Sequence, residues 1–329
     1  MLKIGIIGCG YSSYYYCISL LNYPDVKLMG VYDRNDHKSV LLSQHQKCRK
    51  YFTFQEMLND KEIDMIVNLT TPLSHFEINK QILQSGKHLY SEKPITLSLK
   101  DFDILENIAR KKNLSILSAP ANYLANYFHN LMDVLPHIGR IEKVVAFITE
   151  KDIPYDKIIN PLKVKWNIHS ELETGCNLEH AGYILSLMTT LFGEVKNVVK
   201  SSKALSKVRK RYGEKTYHVF THDTYRSEME IGSAGAKLIM INSINYDNNK
   251  SITFYGEKGK VILKDIWNFN SDIFLNDKKI INKRTEHFKQ SWILYMDLMR
   301  PIGYFEKGYP VMQPKQIRNI LETMLKIQS

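Results

Sequence analysis

The sequence predicts two domains: an N-terminal α/β Rossmann domain with a doubly wound parallel sheet, then an α+β domain built on a large, mostly antiparallel sheet. Three observations carry this. The first 119 residues alternate short apolar runs with helical stretches, the pattern of parallel strands joined by crossover helices. The turn Gly8-Cys9-Gly10-Tyr11-Ser12-Ser13 sits directly between the first apolar run and the first helical stretch. From about residue 194, strand-like runs succeed one another with few helices between them, as in an antiparallel sheet. The division falls at Pro120, giving domains 1–119 and 120–329.

In the first domain the expected strands are 3–7, 27–32, 65–69, 88–90 and 115–118, with helices over 76–84 and 99–110. Because the first strand runs straight into a glycine turn and a helix, the ligand crevice belongs at the carboxyl ends of these strands. After Pro120, residues 123–135 read as a helix, Gly139-Arg140 as a turn and 142–149 as a strand. Further strands are expected at 196–200, 217–221, 237–241, 252–255 and 261–263, the last two joined by a hairpin turn at Gly256-Glu257-Lys258-Gly259. Behind Pro314, Ile317, Ile320, Leu321 and Met324 fall at helical spacing and make an amphipathic closing helix.

Bulk composition narrows the function classes. With 44% hydrophobic and 24% charged residues in 329, this is an ordinary globular chain. Its apolar runs stop far short of the roughly 20 residues that span a bilayer, so no membrane partner is expected. The start lacks the pattern of a secretory signal. The four cysteines show neither a CxxC pair nor a zinc-like Cys/His spacing, so a reducing cytoplasm and no metal are expected. The net charge of +11 favours an anionic partner. The basic residues are scattered, without a zinc finger, basic helix or aromatic RNA signature, which argues against nucleic acid. They read as solvated faces, with phosphate-bearing ligands as the alternative.

Four clusters carry chemistry. In the glycine turn, Gly8 allows the tight bend and Gly10 lets the backbone approach a pyrophosphate. The helix beginning at Tyr11 and Ser12 offers unpaired N–H groups to it, and Ser13 stands small in the third glycine place. Asp33 ends the next strand, where a carboxylate hydrogen-bonds the adenosine ribose and repels the 2′-phosphate of NADP, so NAD(H) is favoured over NADP(H). Arg34 beside it pulls the other way, and Asp33 has the alternative role of capping the next helix. The second cluster, Thr70, Thr71, Pro72 and His75, lies at a strand's carboxyl end, where nicotinamide and its ribose belong; His75 reads equally as a helix residue without ligand contact. The third is Gly86 to Pro94, with Glu92 and Lys93 on the loop after a strand. A lysine there can hold a substrate oxygen and stabilise the ionised form of a neighbouring acid. The fourth runs from Thr174 to Tyr183. Glu179 and Tyr183, four apart, share a helix face, and His180 titrates near neutrality when unperturbed.

With the glycine turn and the Thr-Pro segment, GKHLYSEKP at 86–94 resembles the Glu-Lys-Pro signature of the glucose-fructose oxidoreductase, inositol dehydrogenase and rhizopine-catabolism (Gfo/Idh/MocA) family. APANYL at 119–124 resembles that family's crossover into the second domain, and ITFYGEKGKVIL at 252–263 its sheet hairpin. The resemblance covers essentially the whole chain. It implies nicotinamide-dependent hydride transfer at a sugar or polyol carbon, Lys93 as the catalytic or substrate-orienting lysine, and a homodimer or homotetramer packed through the second sheet. The fourth cluster resembles the family's GGGxLxDxGxH stretch. It departs from it by placing Glu179 where Asp is usual and Tyr183 where His is usual. One branch, including dihydrodiol dehydrogenases and sugar ketoreductases, carries tyrosine there, which implies a tyrosine acid/base with His180 as its rival. Asn122, Trp166, Glu179 and Tyr183 join Lys93 as candidate substrate-binding residues, although tryptophans such as Trp166, Trp267 and Trp292 more often pack than bind. The expected function is an NAD(P)-dependent sugar dehydrogenase or ketoreductase, with nucleotide-linked ketosugars among the candidate substrates. The alternatives are a reductase of a non-sugar substrate, like the biliverdin reductases, and a non-catalytic dinucleotide sensor.

Overall fold

The computed structural model describes residues 1–20, 25–150, 159–165, 168–205, 208–211, 215–218, 221–233, 235–244, 246–280 and 312–329. They form two compact units, one of Met1–Ala119 with the segment around Asn160, the other holding most residues beyond Pro120.

The first unit is a six-stranded parallel sheet. Its strands are β1 (Leu2–Ile7), β2 (Val26–Tyr32), β3 (Arg49–Lys50), β4 (Met65–Asn68), β5 (His88–Ser91) and β6 (Ile116–Ser118), in the spatial order β3-β2-β1-β4-β5-β6. The order reverses between β1 and β4, and that switch point is where a doubly wound sheet opens its ligand crevice. All four β4 residues are buried, as are Leu2, Ile4 and Ile6 of β1, because helices cover both faces of such a sheet. The crossovers are α1 (Tyr11–Leu20), α2 (Asp36–Gln46), α3 (Phe54–Asn59), α4 (Pro72–Gln84) and α5 (Leu99–Lys112). Three of them start on a side-chain cap: Asn35, Thr53 and Ser98 accept from the backbone N–H of Lys38, Glu56 and Asp101. Helix α5 buries Phe102, Leu105 and Ala109 at three- and four-residue spacing.

The second unit opens with a 3₁₀ turn, Asn122–Leu124, and α6 (Asn126–Val134). Where one helix over 123–135 was expected, Ala125 is extended (φ −67°, ψ 152°) and divides the segment. The eight-stranded sheet comprises β7 (Ile141–Thr149), β8 (Val195–Ala204), β11 (Thr224–Ile231), β12 (Ala236–Ser243), β13 (Ile252–Gly256), β14 (Gly259–Leu263), β15 (Ile273–Leu275) and β16 (Lys278–Ile280). Its order is β16-β15-β14-β13-β7-β12-β11-β8. Only the β7/β12 pair is parallel among these described neighbours. A separate hairpin pairs β9 (Val208–Arg211) with β10 (Lys215–His218); the strand expected at 217–221 shares residues 217 and 218 with β10, and 219–220 lie outside the described residues. The long α7 (Ile168–Phe192) is interrupted at Gly175, whose φ of 82° and ψ of 158° only glycine adopts without strain. Beyond it Ala181, Ile184, Leu185 and Met188 are fully buried. The closing α8 (Pro314–Gln328) is tied to α7 by Asn177 Nδ2 donating to Met324 O at 2.8 Å. Asn319 bonds Val195 through both its amide atoms, each at 2.9 Å. No helix of the described residues is long and apolar enough to cross a membrane.

Candidate active site

The glycine turn comes directly after β1, as the sequence requires. Gly8 has φ 93°, and a Cβ there would lie 2.6 Å from the Leu69 carbonyl carbon, so β1 passes into the turn directly against the end of β4. At Gly10 nothing lies within 4 Å of a built Cβ; this is the open approach a phosphate needs. The first turn of α1 carries no acidic residue, so no side-chain charge there opposes an anion at the helix's positive end. The Ser13 hydroxyl donates to Gly10 O at 2.7 Å and fixes the turn from within. Tyr11 O accepts from the buried Asn160 Nδ2 at 3.2 Å, a contact no local sequence pattern announces. Burial raises the pKa of the Cys9 thiol, which keeps this loop residue neutral.

Asp33 is held by that same turn. Its Oδ2 accepts from Cys9 N–H at 2.7 Å and its Oδ1 from Asn35 N–H at 2.8 Å. A carboxylate offers about four acceptor positions, so two remain for a vicinal diol. The cap of α2 is Asn35, so the alternative role of Asp33 as that cap does not hold. Arg34 is exposed. Together the turn, the acid-free start of α1 and the Asp33 carboxylate with acceptor positions to spare fit a dinucleotide.

At the ends of β4 and β5 the structure builds a buried polar lattice. Asn68 Nδ2 donates to Asn79 Oδ1 at 2.8 Å, and Asn79 Nδ2 donates to Ser91 Oγ at 3.0 Å and Ile95 O at 3.1 Å. Asn68 Oδ1 accepts the Thr70 N–H at 3.1 Å and its hydroxyl at 2.7 Å. Thr71 precedes α4 and Pro72 occupies its first turn. His75, fully buried, has Nδ1 2.7 Å from Pro94 O and Nε2 3.0 Å from Thr70 O. Both ring nitrogens thus face main-chain oxygens. Glu92 accepts from the Tyr16 hydroxyl and, through Oε2, from Lys93 N–H at 2.9 Å. Lys93 is half-buried and precedes a cis peptide bond to Pro94. Lys87, only six residues earlier, stands at the other end of β5. Its Nζ donates to Asp60 O at 2.6 Å and Ile63 O at 2.8 Å, beside a groove of about 710 Å³ lined also by Asp64, Gln84 and His88.

In the second unit the rivals for the acid/base role stand one turn apart on α7. Glu179 and His180 are buried and Tyr183 is half-buried. The His180 and Tyr183 rings both meet the Trp267 indole, with centroids at 5.7 and 5.8 Å. The Lys250 ammonium lies 4.1 Å from the Trp267 ring centroid and 2.9 Å from Glu150 Oε1. Trp267 is the functional candidate that sequence reasoning passed over, since an isolated tryptophan after a hairpin reads as packing. Asn122 is almost fully buried, its Nδ2 donating to Tyr127 Oη at 3.0 Å and Ile266 O at 2.9 Å, so it anchors the residue before Trp267. Trp166 lies outside the described residues. Among the described residues no group of three or more His, Cys, Asp or Glu side chains could hold a metal ion.

Comparison with known proteins adds to this geometry. Residues 2–119 match the model of the Gfo/Idh/MocA oxidoreductase family's NAD-binding Rossmann fold, and residues 138–326 match that of the family's C-terminal alpha/beta domain. A scyllo-inositol 2-dehydrogenase (NADP(+)) of Bacillus subtilis is 22% identical over 210 residues, 62% of this chain and 55% of that protein. The chain thus aligns with about half that relative's length. Among solved structures, a UDP-N-acetylglucosamine 3-dehydrogenase from Acidithiobacillus ferrooxidans superposes with a TM-score of 0.76 and 16% identity, over 99% of this chain and 96% of that one. A biliverdin reductase from Synechocystis gives 0.70 and 17% over 99% and 98%. At these identities the superpositions speak to the fold.

Proposed function

Because the chain belongs to the Gfo/Idh/MocA oxidoreductase family, we propose that it is an NAD(P)-dependent dehydrogenase or ketoreductase acting at a C–OH or C=O carbon of a sugar, with nucleotide-linked ketosugars as the favoured substrates. The observation that carries the proposal is the glycine turn joined to Asp33, whose carboxylate takes two main-chain N–H groups and keeps acceptor capacity for a ribose diol. That carboxylate repels a 2′-phosphate, which makes NADH the better ligand; exposed Arg34 acts in the opposite direction. Nucleotide-sugar chemistry is supported by the superposed UDP-N-acetylglucosamine 3-dehydrogenase and by the net charge of +11.

Bound nicotinamide supplies or accepts the hydride. The chain's own residues manage the oxygen and the proton. The Lys93 ammonium donates to the substrate oxygen and favours its anionic form. Tyr183 delivers the proton to that oxygen in reduction and removes it in oxidation. Glu179 and Trp267 orient the substrate. We place this activity in a reducing cytoplasm, since none of the four cysteines forms a disulfide, and in a homodimer or homotetramer packed through the open face of the larger sheet.

The test is absorbance of NADH and NADPH during incubation with a panel of UDP- and dTDP-linked 3-ketosugars, inosose and biliverdin. The expected result is turnover of a ketosugar with NADH preferred, and a narrowed preference in Asp33→Ser. NADPH preferred by tenfold or more, about 1.4 kcal/mol, overturns the role given to Asp33. Turnover of biliverdin alone moves the activity to the second reading, which the aromatic corner of His180, Tyr183 and Trp267 favours by its flat surfaces. Binding of NADH without any turnover makes the protein a sensor.

A further inference from the structure

Three consecutive residues, Lys93 to Ile95, each have a main-chain group held by a side chain, two of the three from α4. Lys93 N–H is taken by Glu92 Oε2 at 2.9 Å, Pro94 O by His75 Nδ1 at 2.7 Å and Ile95 O by Asn79 Nδ2 at 3.1 Å. The residue before is fixed as well, Glu92 N–H donating to Asn68 O at 2.9 Å. Burying so many polar groups costs free energy unless every bond is made, and packing alone does not call for it. The Glu92 carboxylate is itself oriented by Tyr16, which stands on α1 just behind the glycine turn, 76 residues away in sequence. The Tyr16 ring is partly exposed and packs 6.1 Å from the Tyr90 ring, while its hydroxyl turns inward to Glu92. Burial and the adjacent Glu92 charge push this phenol well above its ordinary range, so it stays a proton donor throughout the working pH. A phenylalanine would keep the ring packing and lose the hydroxyl's bonds to Glu92 and Tyr90. His75 stands between the loops after β4 and β5, with Nε2 3.0 Å from Thr70 O and Nδ1 2.7 Å from Pro94 O; the neutral ring carries one N–H, and the shorter contact assigns it to Nδ1.

We propose that Tyr16 and His75 are positioning residues that grip the Lys93 peptide from two sides, so that the lysine meets the substrate oxygen in one orientation. Tyr16 acts through Glu92, and His75 through the Pro94 carbonyl. The proposal rests on Lys93 being the working lysine. It links the cofactor helix to the catalytic loop within one unit and gives the first tyrosine cluster a purpose beyond packing.

The experiment compares Tyr16→Phe and His75→Gln in the wild-type and Lys93→Met backgrounds of the full chain. In the wild-type background each lowers kcat about tenfold with KM and the NADH dissociation constant changed by no more than about threefold. In Lys93→Met neither has a further effect, because the route through the lysine is already gone. Equal losses in both backgrounds, or a loss seen only in NADH affinity, overturn the proposal. If the wild type turns over no member of the panel, the functional reading fails while this one is still decided. The rate of reductive methylation of Lys93, followed by peptide mass spectrometry, must then shift severalfold in Tyr16→Phe, and an unchanged rate overturns the grip. His75→Gln, which takes the imidazole Nδ1 donor away from Pro94 O, answers the same question should Tyr16→Phe fold poorly.

Discussion

Tyr183 and His180 lie on one turn of α7, and both lean on the same indole, so the choice between them rests on chemistry more than on packing. A phenol exchanges a proton with an alkoxide efficiently when a cation stabilises its phenolate. Tyr183→Phe therefore lowers kcat by about 10²-fold while leaving NADH affinity intact, and His180→Asn keeps most of the activity. Steady-state kinetics with paired fluorescence titration of NADH checks both; a dead His180→Asn beside a near-normal Tyr183→Phe assigns the proton to histidine. At this scale the sequence was legible wherever the local geometry is set by neighbours along the chain. The glycine turn with Asp33 and the Glu-Lys-Pro loop are examples. It was silent on groups brought together by tertiary contact. Tyr16 reaches Glu92 across 76 residues, Asn160 reaches Tyr11 across 149, and Trp267 meets α7 from beyond the second hairpin. His75 was recognised as notable, but that its ring faces two carbonyls could be known only from the fold.

Helix starts in the first unit are written locally, and this makes them separable from the chemistry. Ser98 Oγ accepts Asp101 N–H at 3.1 Å and opens α5 at the amino end, while Asn113 closes it in the left-handed conformation at φ 55°. Ser98→Ala removes that cap and lowers stability by about 1 kcal/mol, measured by urea unfolding, with NADH affinity unchanged; a lost affinity instead would mean that α5 shapes the cofactor site. Other elements were harder to read for definable reasons. In β11 the residues Arg226, Glu228 and Glu230 alternate with Tyr225, Ser227, Met229 and Ile231, one face polar and the other buried, an alternation that is itself a strand signal and that the expected strands left out. Strands β15 and β16 are three residues each, too short to show a period. Beside the break at Ala125, Tyr127 N–H bonds Phe269 O at 3.3 Å, a partner far along the chain. By contrast the interruption of α7 falls on a glycine in plain view, Gly175.

For the whole molecule, the two sheet types arise from how apolar residues are distributed. Strands buried on both faces give the parallel sheet of the first unit, and the alternating strands of the second give a mixed sheet with one face buried and one more polar. The family match covers both halves, and the proposed reaction moves a hydride between nicotinamide and a sugar carbon. Deuterium transfer tests this most directly. The protein is incubated with NADH carrying deuterium on the transferred face of C4 and the ketosugar it turns over, and the product is read by mass spectrometry and proton NMR. One deuterium per alcohol formed is expected, bound to the new carbinol carbon and stable to exchange with water. A product without that label, or a label that washes out into solvent, would contradict it.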